Sequence, residues 1–344
     1  MKVSETDWIG LVLRSPQLDL ERVSCQDEGE AASIIAATWD ERFVFGKPFI
    51  RYTIITYPDN SWDLITKLDH AVYDGTLLRI LDEHYSSILR KQPIPRHTTF
   101  RDFVFHIFES DKSRSLAYWA KRLDRWDAAA RLNQAPWAKA ANPCTDGVIK
   151  RSLSTASVDQ AAGLLGVTPS IFFQGAFQLW LARATARCDV GFDYLLTGRN
   201  VDLPEPQTIN GTVANFLPDD FWAMTDHGDI GLDHIYQAAG FDREEVGNRA
   251  LFIYQPFEPA PKDDPNADFR WLIMAKCKVR MPMPYALAVE IHKAVGKTHS
   301  LKLSYDTAVL GAEAAGRAAD EIVEVIHRMI NLKGDMLEKR IEDV

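Results

Sequence analysis

The chain has 344 residues, of which 46% are hydrophobic and 25% charged, a composition typical of soluble globular proteins. This length favours two packed subdomains over a single one. The formal net charge of −9 offers no basic surface to a phosphate backbone and therefore argues against a nucleic acid partner.

Neither a membrane anchor nor a cysteine framework is predicted. The longest apolar stretch, SIFFQGAFQLWLA at 170–182, contains two glutamines and is too short to cross a bilayer, so it predicts a buried helix. The N-terminal MKVSETDW lacks the apolar core of a signal peptide, and we therefore expect a cytoplasmic protein. The four cysteines show no Cys-x-x-Cys spacing, which argues against a metal site and against disulfides.

In the first part of the chain, FIRYTIITY (49–57) and WDLITKL (62–68) predict two strands joined by a turn. The apolar spacing that follows predicts a helix with Thr76 as its N-cap, and SLAYWAKRLDRW (115–126) predicts another.

A segment rich in Ala, Asn and Pro follows and predicts a surface connection. We place the first half at 1–130, a linker at 131–147 and the second half at 148–344. The second half begins with the buried helix from Pro169. The remaining predicted elements are strands at 190–198, 285–293 and 300–310 and a helix at 312–332. This alternation predicts layered α/β halves.

One motif in the first half is typical of a reactive site. In LDHAVYDGTLL (68–78), His70, Asp74 and Gly75 lie between a predicted strand and a predicted helix. An imidazole at a strand end can be directed into a crevice, where it serves as a base or a positioning group. We expect Asp74 to brace the loop and Gly75 to allow a positive φ or a close backbone approach. The simpler interpretation is a histidine whose nitrogens are satisfied by the backbone of a turn.

The motif resembles that of the condensation domains of nonribosomal peptide synthetases, whose hallmark is His-His-x-x-x-Asp-Gly. His70, Asp74 and Gly75 match its second histidine, aspartate and glycine, and Asp69 replaces its first histidine. Further segments that resemble the family's boxes follow in order: TFRDFVFHI (99–107), LAYWAKRL (116–123), the helix from Pro169, LLTGRNVDLPEPQTINGTVANFLP (195–218) and IYQAAGFDREEVGNRALFIYQ (235–255).

Two departures from the family pattern carry expectations. Fungal terminal condensation domains, which cyclise and release a peptide, often vary at the position of Asp69, so this residue favours a cyclising role. The segment that precedes WIGLVLRSPQLDLERV in the family has no equivalent here, so we expect an N-terminally truncated first half and either self-association or a separate N-terminal piece. In the family, this N-terminal segment supplies an arginine that braces the aspartate of the motif. Here Arg199 or Arg51 would have to brace Asp74 instead.

The resemblance implies two chloramphenicol-acetyltransferase-like halves that form a V, with the active-site tunnel at the seam. The acyl group would arrive as a thioester on the phosphopantetheine of a peptidyl or acyl carrier protein, so no permanently bound cofactor is expected. His70 would position the acceptor amine or hydroxyl and take its proton. Candidate tunnel or substrate residues are Asp69, Asn215, Tyr254 and Gln255.

Two other functions remain open. Coenzyme A-dependent acyltransferases share His-x-x-x-Asp-Gly and add Asp-Phe-Gly-Trp, to which DFRW (268–271) is similar, although an arginine replaces the glycine. The other is a non-catalytic remnant that docks a carrier protein. The eight further histidines show no ligand spacing and are interpreted as structural or exposed: 84, 97, 106, 227, 234, 292, 299 and 327.

Overall fold

The structure is a computed structural model that describes residues 18–44, 46–124, 143–153, 157–187, 190–197, 199, 201–209, 214–218, 227–228, 230–241, 250–255, 283–294 and 298–331. These residues divide between two compact units. The first contains the described residues up to 103 together with 203–209, and the second contains the remainder. Most of the predicted linker at 131–147 lies outside the described residues, and its place as the boundary stays a prediction.

Three strands form the sheet of the first unit, in the order β1 (Leu20–Ser24), β2 (Ile50–Thr56) and β3 (Trp62–Leu68). Strand β2 is parallel to β1 and antiparallel to β3. Helix α1 (Glu28–Asp40) provides the crossover that a parallel pair requires. The turn between β2 and β3 contains Asn60 at φ 65°, a left-handed conformation that asparagine tolerates well. Both strands predicted for this half are confirmed.

The alternation of side chains along β2 assigns one helix to each face of this sheet. Ile55 packs with Ala31 of α1 on one face. On the other face, Tyr85 of helix α2 (Gly75–Leu89) hydrogen-bonds Tyr52. Burial and this hydrogen bond raise the pKa of the Tyr85 phenol to about 12. Helix α2, which follows the histidine motif, is therefore held directly against the sheet.

Six strands form the sheet of the second unit. They are β4 (Gly147–Leu153), β5 (Asp193–Thr197), β6 (Ala214–Pro218), β7 (Ala250–Gln255), β8 (Leu287–Ala294) and β9 (Thr298–Tyr305), in the spatial order β4-β9-β8-β7-β5-β6. Strands β5, β7 and β8 run parallel and the other neighbours antiparallel. Because Gly147 already belongs to β4, the last residue of the predicted linker lies in a strand. Residues 306–310, which were predicted to continue a strand, form a turn.

The described helices that follow α2 are α3 (Phe100–Glu109), α4 (Ser113–Leu123), α5 (Val158–Leu164), α6 (Pro169–Thr185), α7 (Leu232–Ala238) and α8 (Ala312–Ile330). Helices α6 and α8 pack on one face of the six-stranded sheet and form the main core of the second unit. No described helix has by itself the length and apolarity to span a membrane, whereas α5 and α6 together, bent by 86°, pass on length and composition.

Local sequence explains the start of α6. The Thr168 hydroxyl accepts a hydrogen bond from the Ile171 amide at 3.4 Å, and Pro169 occupies the first helical position, where its missing N–H costs nothing. The helix ends at Thr185, and the next residue, Ala186, is left-handed at φ 53°. Its aromatic residues are almost fully buried, which confirms the predicted core role: Phe172, Phe173, Phe177 and Trp180.

Candidate active site

The histidine motif begins where β3 ends. The Asp69 amide donates to the Phe49 carbonyl at 3.0 Å, which continues the hydrogen bonds between β2 and β3 by one residue. The chain then forms a single 3₁₀ turn over His70–Val72, and the Asp69 carboxylate caps it by accepting from the Ala71 amide at 2.9 Å. Asp69 is therefore an N-cap, a position that aspartate favours. This cap sets the backbone that carries His70.

His70 is exposed at the start of this turn. Its imidazole stacks on the Tyr73 ring, with 4.3 Å between the ring centroids and 20° between the ring planes. Among the described residues, no side chain or backbone group hydrogen-bonds the two ring nitrogens. The simpler interpretation, a turn histidine satisfied by backbone, therefore finds no support in the described part of the chain. The arrangement leaves a proton acceptor available to a bound molecule.

Asp74 ends the turn and starts α2. Its backbone is extended, with φ −130° and ψ 179°, and its carboxylate accepts from the Leu77 amide at 2.8 Å. The predicted N-cap, Thr76, is wrong, because Asp74 performs this role two residues earlier and Thr76 lies within the first turn. The expected bracing by Asp74 thus takes the form of a helix cap.

Gly75 is the first residue of α2 and does not have a positive φ. A Cβ built on it would meet no other atom within 4 Å. The expectation of a left-handed turn or a close backbone approach is therefore wrong for the described residues. Packing within the first unit does not require a glycine here.

Of the two arginines expected to brace Asp74, Arg51 has other partners. Its guanidinium pairs with Asp19 at 2.9 Å and with Glu41, and these two carboxylates raise its pKa. The proposal of Arg51 as the brace is therefore wrong. Arg199 belongs to the second unit, where its side chain is only 1% exposed. An arginine buried to this degree needs polar partners, and its role towards Asp74 stays a prediction.

The other candidates lie on strands of the second unit. Asn215 is in β6, where it pairs with Leu196 of β5. Its side chain is not among the groups that the structure describes. Tyr254 is partly buried near the end of β7, where its ring stacks on Phe173 at 5.9 Å, and burial raises the pKa of its phenol. Gln255 is the last residue of β7. Their role as tunnel residues stays a prediction.

The sequence interpretation missed a histidine pair in the first unit. The rings of His84 and His97 lie 4.9 Å apart, and the side chain of His97 is only 8% exposed. Their buried nitrogens, His84 Nε2 and both of His97, have no hydrogen-bond partner in the described residues. Burial, together with repulsion by His97, lowers the pKa of His84. No sequence signal marks this pair, because a separation of thirteen positions is neither a helical nor a metal-ligand spacing. Within the described residues, no group of three or more His, Cys, Asp or Glu side chains could hold a metal ion.

Comparison with known proteins identifies the family. The sequence model of the family described as "Condensation domain" matches residues 13–219, more than half of the chain. The chain belongs to the condensation-domain family. The condensation domains of nonribosomal peptide synthetases are acyltransferases, and the resemblance of the motif to this family is confirmed.

Fungal synthetases are among the relatives. Nonribosomal peptide synthetase sidE of Aspergillus fumigatus is 39% identical over 344 residues, which is 94% of this chain and 16% of the synthetase. Nonribosomal peptide synthetase 7 of the same species is 34% identical over 94% of this chain and 14% of its own length. The chain thus spans about one sixth or less of these relatives.

Solved structures share the fold. The structure described as "The crystal structure of CT" has a TM-score of 0.73 at 17% identity and covers 95% of this chain and 77% of its own. The condensation domain from the monacolin K polyketide synthase MokA has a TM-score of 0.65 at 15% identity, over 90% and 79% respectively. These likenesses confirm the predicted chloramphenicol-acetyltransferase-like α/β fold with two sheets.

Proposed function

We propose that this condensation domain transfers an acyl group from the phosphopantetheine thioester of a carrier protein to an amine or hydroxyl acceptor, with His70 as the base. The observation that carries the proposal is the exposed His70 imidazole, whose ring nitrogens make no hydrogen bond to any described residue. The turn that carries it is held by the aspartate caps on either side, Asp69 and Asp74. Histidine is the side chain whose ordinary titration range is closest to neutral pH, so it can both take and return a proton.

The proposed reaction balances without a further reactant. The acceptor nitrogen or oxygen attacks the thioester carbonyl, its proton passes to His70, and the new C–N or C–O bond forms as the C–S bond breaks. The proton then returns from His70 to the departing thiolate sulfur. Because the thioester is already activated, His70 needs only to orient the acceptor and hold its proton.

The finer proposal concerns the acceptor. Asp69 occupies the position at which fungal terminal condensation domains often depart from the family pattern, and this supports an acceptor within the same acyl chain. The product would then leave by cyclisation. A released product one water lighter than the hydrolysed linear chain would indicate cyclisation, whereas transfer to a second carrier protein would leave the product bound to that protein as a thioester.

The test is single-turnover transfer from carrier-protein thioesters bearing a panel of peptidyl chains, followed by mass spectrometry. His70→Ala should slow transfer by roughly 10²- to 10⁴-fold, the usual contribution of a general base. The matched control is His234→Ala, an exposed histidine on α7 of the second unit, which should react at the wild-type rate. Wild-type transfer by His70→Ala would refute the role of His70.

The two alternative functions give different outcomes in the same assay. Turnover of acyl-coenzyme A without a carrier protein would favour the coenzyme A-dependent class, whose supporting residues at 268–271 lie outside the described residues. Binding of the loaded carrier protein without turnover would favour a docking remnant.

Gly75 provides a second test of substrate position. Since an added Cβ meets no atom of the described residues within 4 Å, Gly75→Ala should leave the fold intact. We propose that the thioester arm uses this open space beside the motif, so the substitution should slow transfer. Gly163→Ala on α5, where a Cβ also has open space, is the control for an alanine placed on a helix. Equal transfer rates for both variants would contradict this placement of the arm.

A further inference from the structure

Tyr73 is the residue of the motif to which the proposed function gives no role. It lies three positions after His70, and their rings stack at 4.3 Å with 20° between the planes. A 3₁₀ turn has three residues per turn, so the turn His70–Val72 places the backbone of Tyr73 one turn beyond His70. Tyr73 itself is extended, and the orientation of its side chain completes the stack.

The backbone on both sides of Tyr73 is fixed. At the start of the turn, the Val72 amide donates to the Asp69 carbonyl at 3.1 Å, in addition to the cap made by the Asp69 carboxylate. Tyr73 itself is extended, with φ −142° and ψ 156°. The next residue, Asp74, caps α2. Tyr73 therefore cannot move away from His70 by backbone rotation unless one of these caps is lost.

We infer that Tyr73 is a positioning residue that holds the plane of the His70 imidazole. This inference rests on the proposed function of His70 as the base. An imidazole on an exposed turn would otherwise sample several rotamers, and a stacked ring restricts them. The centroid distance also lies within the roughly 6 Å range over which an aromatic face attracts a cation. The ring therefore favours the imidazolium that forms while His70 holds the proton of the acceptor.

The first test observes the stack without any reaction. In the full chain labelled at the histidine ring carbons, the His70 resonance is assigned by its absence in His70→Ala. The ring current of Tyr73 should shift this resonance upfield. The shift should persist in Tyr73→Phe, which keeps the ring, and disappear in Tyr73→Leu. An unchanged His70 resonance in Tyr73→Leu would overturn the inference.

The second test separates positioning from a general structural role. Tyr73→Leu should lower kcat by roughly 3- to 10-fold with KM for the loaded carrier protein unchanged, which is the range of a ring–ring contact. Tyr73→Phe should recover most of the rate. The control is Phe100→Leu, which removes one ring of another i, i+3 stack, that of Phe100 and Phe103 at 5.9 Å, and should leave kcat unchanged.

Failure of the inference and failure of the proposed function give different results. If His70→Ala abolishes transfer while Tyr73→Leu has wild-type kcat, the positioning role is refuted and His70 remains the base. If His70→Ala retains transfer, the proposed function is refuted, and the positioning role of Tyr73 is refuted with it even where the ring-current shift is present.

Discussion

Replacement of Asp74 by alanine separates two roles that this residue could have. The structure gives it one role directly, because its carboxylate accepts from the Leu77 amide at 2.8 Å and caps α2. Loss of such a cap costs about 0.5–2 kcal/mol in the free energy of unfolding. If Asp74 also neutralises a buried arginine, as the family resemblance implies, its removal should cost about 3–5 kcal/mol. The two contributions therefore differ enough to be measured.

Two further variants calibrate this measurement. Asparagine is as good an N-cap as aspartate, so Asp74→Asn should retain most of the stability if the cap is the main contribution. It should lose as much as alanine if the negative charge is what matters. Asp27 caps α1 in the same unit and accepts from the Glu30 amide at 2.8 Å in an exposed position. Asp27→Ala therefore gives the local value of a cap alone, which we expect to be about 1 kcal/mol.

The assay is urea unfolding followed by circular dichroism, with hydrogen exchange of the peptide 75–89 read by mass spectrometry. Exchange is needed because a chain with two compact units need not unfold in one step. We expect Asp74→Ala to speed exchange in α2 and Asp27→Ala to leave it slow. If Asp74→Ala matches the wild type in both unfolding and exchange, the cap contributes nothing and this reasoning is wrong.

Three other predictions address the rest of the chain. Gly147→Ala should destabilise the second unit by about 1–3 kcal/mol in urea unfolding, because the added Cβ would lie 2.5 Å from the buried Tyr305 ring. An unchanged unfolding midpoint would contradict this, because it would show that the Tyr305 ring moves away at no cost. The pKa of His84 is lowered from its ordinary 6.5 by burial and by His97, so the unfolded chain binds the proton first as the pH falls. The stability of the first unit should therefore decline below about pH 6.5, and His84→Leu should remove this dependence in thermal melts. Trp62 is exposed at the start of β3, which is an edge strand of the sheet formed by the described residues. Trp62→Lys should therefore reduce any self-association seen by light scattering, and the same mass for the variant and the wild type would count against a role of this edge.

Local patterns were sufficient for much of the secondary structure. Strand-like runs joined by a turn predicted β2 and β3 to within one residue at each end, and the longest apolar stretch predicted α6 from Pro169. The wrong choice of Thr76 instead of Asp74 as the N-cap of α2 also concerns neighbouring residues only. Both residue types are good caps, and the sequence alone does not show that Gly75 already has helical φ and ψ.

The sequence alone also determined the family and the motif, because His70, Asp74 and Gly75 are a fixed short pattern. The tertiary structure decided which groups meet from outside a single helix or strand. Arg51 pairs with Asp19 and Glu41 because strand pairing and the end of α1 bring them to one face of the sheet, and His84 meets His97 across the end of α2. Local periodicity depends on neighbours within one turn or one strand, whereas such contacts depend on how the elements pack, so only the folded chain determines them.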